Sequence, residues 1–222
     1  MLTNFYESVD KKKIIKYPNP YYGKTHFIKV PFRMLVVGAS GAGKTNCALN
    51  SIKATQNTFM TLTVVTKNKD EPLYNMLEEK LGRESFKIYE GLDNLPKLDT
   101  FQKDVNNLLI IDDMVNERDL SPVCDLYIRC RKLGVSVMFL SQSYFKIPKL
   151  IRQNANYVIL LKVASTRDLG RIVSEYDIGL TNKELVELYK ECTKVKMDFL
   201  MIYTDASPDE YKYFHNFNPI NV

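Results

Sequence analysis

Gly38-Ala39-Ser40-Gly41-Ala42-Gly43-Lys44-Thr45 fills every fixed position of the pattern G-x-x-x-x-G-K-[ST]. Its flanks fit as well. Arg33-Met34-Leu35-Val36-Val37 reads as a short buried strand entering the stretch, and Asn46-Cys47-Ala48-Leu49-Asn50-Ser51-Ile52 as the helix leaving it. Glycines allow a tight turn that brings backbone N–H groups onto phosphate oxygens, and the helix N-terminus adds its positive end. The expected nucleotide-binding set is Ser40, Gly41, Ala42, Gly43, Lys44, Thr45 and Asn46. Lys44 is expected to reach the β- and γ-phosphates, and the Thr45 hydroxyl to bind Mg²⁺.

Outward from this loop the pattern alternates. Strands are predicted over 59–65, 86–89, 108–111, 135–140, 157–161 and 197–203. Helices are predicted over 71–81, 121–132, 168–176 and 181–192, with Pro72 suited to a first turn and Thr181-Asn182-Lys183-Glu184 forming a capping box. The helix over 121–132 carries an apolar stripe of Leu120, Val123, Cys124, Tyr127 and Ile128. Strands alternating with helices predict an α/β fold with a mostly parallel sheet and helices on both faces. Residues 1–30 read as an irregular lead-in, 31–204 as the nucleotide-binding domain, and 205–222 as a tail whose aromatics pack on that domain.

Composition narrows the class. The 222 residues are 45% hydrophobic, enough for one sizeable core, and the net charge of +5 permits a nucleic-acid partner without demanding one. The cysteines Cys47, Cys124, Cys130 and Cys192 form no C-x-x-C pair, and His26 and His215 are the only histidines. Free thiols in a reducing compartment are expected, with neither a disulfide frame nor a zinc site. No apolar run approaches a membrane span and no secretory h-region opens the chain, so a soluble intracellular protein with no membrane partner is expected. Lys11-Lys12-Lys13 reads as a solvated surface cluster. Asn68-Lys69-Asp70 is one residue short of the guanine-reading N-K-x-D pattern and precedes the acidic strand, which argues against that role.

The chemistry gathers at strand ends. Leu108-Leu109-Ile110-Ile111 is a run of the kind buried on both sheet faces, and it ends in Asp112-Asp113. Asp112 can meet a Mg²⁺ held by Thr45, and Asp113 can orient and deprotonate water for attack on a γ-phosphate. Gln142 ends the following strand, where its amide can sense the water or the γ-phosphate. In a parallel sheet these groups and the loop share one edge. Arg131, Arg129 and Arg152 are candidates for a cation placed on a neighbouring subunit's phosphate, with Arg131 on the apolar stripe and Arg129 facing away.

Three segments together resemble the FtsK/HerA superfamily of DNA-pumping ATPases, and within it the poxvirus-type genome-packaging ATPases of large DNA viruses and virophages. They are residues 34–45, residues 108–113, and the stretch from Arg131-Lys132-Leu133-Gly134 through Ser141-Gln142-Ser143 to Asn154-Ala155-Asn156-Tyr157. The resemblance spans about residues 32–203. It implies a RecA-like (ASCE) P-loop core working as a homo-oligomeric ring, a hexamer in the family. ATP with Mg²⁺ would be hydrolysed to move double-stranded DNA into a capsid, with capsid or vertex proteins as partners. It implies host-cell cytoplasm or a viral factory as location, with association with the virion. The family's intersubunit arginine precedes the glycine and strand, which matches Arg131. One departure is Asp113, where cellular pumps carry Glu. The cellular pumps also carry extra domains for which this chain has no room, so capsid docking is expected through its surface, termini or another protein. The competing readings are a HerA-like translocase working with a repair nuclease, and a slow nucleotide-dependent assembly switch.

Overall fold

The computed structural model describes residues 17–176 and 179–221. Six parallel strands form the centre of one sheet: β1 (Arg33–Val37), β2 (Thr61–Thr66), β3 (Phe86–Glu90), β4 (Asn107–Asp112), β5 (Val135–Ser141) and β6 (Tyr157–Leu160). Three antiparallel strands, β7 (Leu200–Tyr203), β8 (Tyr213–His215) and β9 (Asn218–Ile220), extend one side. The spatial order is β3-β2-β4-β5-β1-β6-β7-β8-β9.

Alternating side chains of the central strands feed two cores, as the two-residue period of a strand requires. Leu35 and Val37 of β1, with Leu109 and Ile111 of β4, join one cluster; Met34, Val36, Leu108 and Ile110 join the other. The second face is covered by α1 (Lys44–Ala54) and α2 (Pro72–Ser85), through Cys47, Ala48, Tyr74 and Leu77. The first is covered by α3 (Ser121–Arg129), α4 (Lys149–Asn154), α5 (Thr166–Glu175) and α6 (Asn182–Cys192). Sandwiched between helices, β4 and β5 are buried at every position, which is why they read as unbroken apolar runs rather than alternating ones.

The topology reverses beside β1. From β1 the chain crosses to β2, and from β5 it passes over β1 to β6, so loops diverge at the carboxyl ends of β1 and β5 and leave a crevice there. Register aligns the strand ends. Val37 pairs with Ser141 and Leu160, and Asp112 with Leu140. Gly38, Asp113 and Gln142 therefore leave the sheet at nearly one level.

Several boundaries differ from the sequence expectation for local reasons. The helix after β2 turns at Gly82 (φ 74°, ψ 158°) before a last turn leads into β3. The helix over 121–132 ends at Arg129 and tightens into a 3-10 turn over Cys130–Leu133. The buried stripe is offset from the expected one but keeps helical spacing: Val123, Leu126, Tyr127 and Cys130 are buried, whereas Ile128 is 52% exposed. The strand expected over 197–203 is shorter, because residues 193–197 form a turn and β7 begins only at Leu200. The tail does more than pack on the domain. It adds β8 and β9 to the sheet, burying Tyr213 and Phe214, with Phe217 edge-on to Phe199 at 5.3 Å.

The described part of the lead-in is tied to the body. Asn106 donates to the Pro18 carbonyl at 2.8 Å, and the Tyr157 hydroxyl bridges Lys29 N and Phe27 O at 2.9 and 3.0 Å. Lys11-Lys12-Lys13 lies outside the described residues. Cys47, Cys130 and Cys192 are buried free thiols and Cys124 is half-buried, with burial pushing Cys130 and Cys192 up to about 11. Among the described residues no helix is long and apolar enough to cross a membrane.

Candidate nucleotide-hydrolysis site

The loop between β1 and α1 is closed by backbone bonds from both neighbouring strands. Gly38 N donates to Ser141 O at 3.2 Å, and Ala39 N to Lys162 O at 2.9 Å. Gly43, the residue before α1, has φ 97°. A side chain there would be strained, and a Cβ would also meet Met197 Cγ at 3.0 Å. Lys44 opens α1 and folds back, its ammonium donating to Gly38 O and Ala39 O, both at 3.1 Å. An ammonium has three donors, so one remains for a phosphate oxygen. Burial lowers the Lys44 pKa, and the nearby Asp112 and Asp113 carboxylates offset part of that.

Asp112 closes β4 and is 9% exposed. Its Oδ2 accepts from the Tyr74 hydroxyl at 2.7 Å, and the Thr45 hydroxyl interacts with the same tyrosine. Burial raises the Asp112 pKa, with Tyr74 and Lys44 pulling it down and Asp113 and Glu71 pushing it up. Thr45 and Asp112 thus form an all-oxygen donor pair, the kind a magnesium ion takes alongside phosphate. Asp113 leaves the strand at φ 55°, and Asp113 Oδ1 accepts from Gln142 Nε2 at 3.2 Å. Left-handed backbone is tolerated by the short polar side chains of Asp and Asn far better than by longer ones. That is a local reason for aspartate at this position.

The three arginines separate. Arg129 pairs with Asp125 one turn back at 3.0 Å. Arg152 pairs with Glu175 and lies over the Tyr144 ring, 4.9 Å from its centroid. Arg131 sits on the 3-10 turn rather than on the helical stripe, is exposed, and has no ion pair among the described residues. It precedes β5, at the amino edge of the sheet. Seven strand residues at about 3.3 Å each put it roughly 20 Å from the loop of its own chain. Gly134, which ends the turn at φ 68°, has Val105 O and the Tyr17 hydroxyl where a Cβ would stand, at 2.7 and 2.6 Å.

The poxvirus A32 protein family model matches residues 21–212. The chain belongs to the poxvirus A32 protein family. Its fold is that of P-loop ATPases. It is similar to the genome packaging NTPase B204 of Sulfolobus turreted icosahedral virus 2 in complex with ATP-gammaS. The TM-score is 0.60 at 16% identity, over 87% of this chain and 100% of that one. The AMPPCP complex of B204 gives a TM-score of 0.59 at 17% identity over the same shares. ATPases 2 and 3 of EssC from Geobacillus thermodenitrificans give 0.57 at 8% identity, over 86% of this chain and 40% of that one. A comparison with curated protein sequences finds no match.

Two contributors to this A32-family site were not foreseen. Tyr74 is the third residue of α2, and its partner lies 38 residues on, so no linear pattern connects them. Met197 falls within the strand expected over 197–203, yet it stands at φ 75° against Gly43, with Asn46 Nδ2 3.5 Å from its sulfur. Non-glycine residues seldom adopt that backbone, and nothing in the local sequence signals it.

Proposed function

We infer that this chain is a viral genome-packaging ATPase that hydrolyses ATP to move double-stranded DNA into a capsid. The observation that carries the reading is the meeting of the phosphate loop, Asp112, Asp113 and Gln142 at one sheet edge, in a chain whose family is that of the poxvirus A32 protein. B204, a genome packaging NTPase, shares the fold over its full length.

Lys44 and the loop N–H groups hold the β- and γ-phosphates and draw off charge as the terminal bond breaks. Thr45 and Asp112 hold Mg²⁺, which when bound neutralises phosphate charge. Tyr74 fixes the Asp112 carboxylate in place. Asp113 takes the proton of the attacking water, and the Gln142 amide, bonded to Asp113, orients that carboxylate and registers the loss of the γ-phosphate. Arg131 of one subunit serves the site of the next in a homo-oligomeric ring, a role favoured by its exposure, its lack of an ion pair among the described residues and its distance from its own loop. A cation brought to the γ-phosphate stabilises the transition-state charge. Capsid or vertex proteins and the DNA are the partners, in the host cytoplasm or viral factory where virions assemble.

The test is ATP turnover with and without double-stranded DNA. The wild type is expected to be stimulated. Asp113→Asn should lose about 10²–10⁴-fold in turnover while still binding nucleotide, the range for a positioned general base. Normal turnover in Asp113→Asn would remove that role, and turnover indifferent to DNA would favour a nucleotide-driven assembly switch.

A further inference from the structure

The tail and the described part of the lead-in meet at the edge of the sheet away from the phosphate loop. Tyr203 closes β7 and pairs with Tyr157, the first residue of β6, so both lie at the amino edge of the parallel strands. Gly38 and Gln142 leave the opposite edge. A cavity of about 160 Å³ opens beside Tyr203. Five of its seven lining residues are aromatic: Tyr22 and Phe27 from the lead-in, Tyr203 from β7, and Tyr211 and Phe214 from the tail. The other two, Asp209 and Glu210, are carboxylates, so the lining itself carries no cation.

The rings are set as walls rather than as a stack. Phe27 meets Tyr22 and Tyr211 edge-on, at interplanar angles of 69° and 71° and centroid distances of 6.1 and 5.5 Å. Tyr211 is in turn edge-on to Phe214, at 68°. Phe214 is 1% exposed and closes the base, whereas Tyr22 and Tyr211, 38% and 43% exposed, stand at the mouth. The face of an aromatic ring is electron-rich and attracts a cation. The protein already uses that attraction at the margin of this cavity. Lys29 Nζ lies 5.3 Å from the centroid of the Tyr203 ring and pairs with Glu210. Asp209 is exposed and has no ion pair among the described residues, so with Lys29 balancing Glu210 one negative charge is left over at the rim. That charge repels phosphate, which speaks against DNA here. The volume is below the range of sites for whole small molecules and suits the head of one side chain.

We propose that this cavity seats the ammonium end of a lysine side chain presented by a partner protein, with the rings of Tyr22, Phe27 and Tyr211 around the cation and Asp209 as its counter-charge. It is a docking site at the sheet edge opposite the nucleotide, and it stands whether or not that nucleotide is hydrolysed. Lysine fits better than arginine. Its ammonium is compact, whereas a planar guanidinium stacks flat on a ring, and these walls are inclined to one another. A cation on an exposed aromatic ring gains about twofold to fivefold in binding. The attraction of Asp209, at the surface, is weakened by salt.

The experiment titrates the full chain with n-butylammonium, the end of a lysine side chain, and with neutral n-pentanol, read by saturation-transfer NMR. Wild type should bind n-butylammonium at least about fivefold more tightly than n-pentanol, and less tightly as salt is raised. Tyr211→Ala and Asp209→Asn should each weaken n-butylammonium about twofold to fivefold, while Tyr211→Phe keeps the ring and most of the binding. ATP turnover should be the same in all of them, which shows that they fold. Equal binding of the two probes would mean a plain apolar cleft and would overturn the cation site. So would a failure of wild type to bind n-butylammonium, or binding unchanged in both Tyr211→Ala and Asp209→Asn. Sedimentation velocity identifies the source of the lysine. Tyr211→Ala should sediment as wild type does; a shift to smaller species would give the lysine to a second copy of this chain and overturn a separate partner.

Discussion

Replacing Tyr74 by phenylalanine removes one oxygen and tests how the Asp112 carboxylate is held. The Tyr74 ring is 1% exposed and packs in the core under α2, so Phe keeps the packing. What is lost is one hydrogen bond of 2.7 Å onto a carboxylate that is itself buried. A hydrogen bond to a charged group contributes about 1.5–3 kcal/mol. For a domain of this size each kcal/mol moves Tm by about 2–4 °C, so the variant should melt roughly 3–12 °C below wild type. The same bond fixes the carboxylate proposed to hold Mg²⁺ with Thr45, so turnover should fall and the Mg²⁺ concentration for half-maximal turnover should rise. The assay is a double-mutant cycle with Asp112→Ala, read by thermal melting and by Mg²⁺ titration. The coupling should be at least about 1 kcal/mol, because Tyr74→Phe has little left to remove once the carboxylate is gone. Effects that add within about 0.5 kcal/mol would refute the link between Tyr74 and Asp112.

Three further outcomes follow from the site. Burial raises the Asp112 pKa, so the native state binds its proton more tightly than the unfolded chain does. Asp112→Asn should therefore melt higher than wild type at neutral pH without nucleotide. The difference should vanish as pH falls to the ordinary carboxylate range near ~4, where wild-type Asp112 is protonated, and melting curves across that range check it. With Mg²⁺ and nucleotide present the order should reverse, since only the carboxylate contributes a metal ligand. Arg131→Ala should cost on the order of 10³ in turnover, and mixing it with Lys44→Ala protein should restore some activity; Arg129→Ala, which loses one exposed ion pair worth about 0.3–0.5 kcal/mol, should leave turnover nearly unchanged. Asp113→Glu should be less stable than Asp113→Asn by thermal melting, because φ 55° suits the shorter side chains.

The parts of this molecule legible in its sequence are those governed by short-range pattern. The loop over Gly38–Thr45 is contiguous, and β4 and β5 announce double-sided burial by unbroken apolar runs. The Thr181–Glu184 capping box forms as read, with both reciprocal bonds made. Gln142 and Asp113 could be brought together because parallel strands put their carboxyl ends at one edge. What escaped depends on chain segments distant in sequence, or on the phase of a helix with apolar residues on more than one face. Tyr74 acts on a residue 38 positions away. The buried stripe of α3 is offset from the expected one: Val123, Leu126, Tyr127 and Cys130 keep helical spacing and face the core, which leaves Ile128 and Arg131 outward. The tail's aromatics signalled packing but not strand pairing, since three-residue strands carry too few residues for a period to show.

The central claim is that hydrolysis at this site drives movement along double-stranded DNA. The measurement that tests it most directly is displacement of a triplex-forming strand from a linear DNA duplex by the purified protein, with ATP and Mg²⁺. Wild type should displace the strand in proportion to the ATP hydrolysed, and Asp113→Asn, still able to bind nucleotide and DNA, should not. Displacement that persists in Asp113→Asn, or brisk hydrolysis by wild type with the strand left in place, would contradict the account.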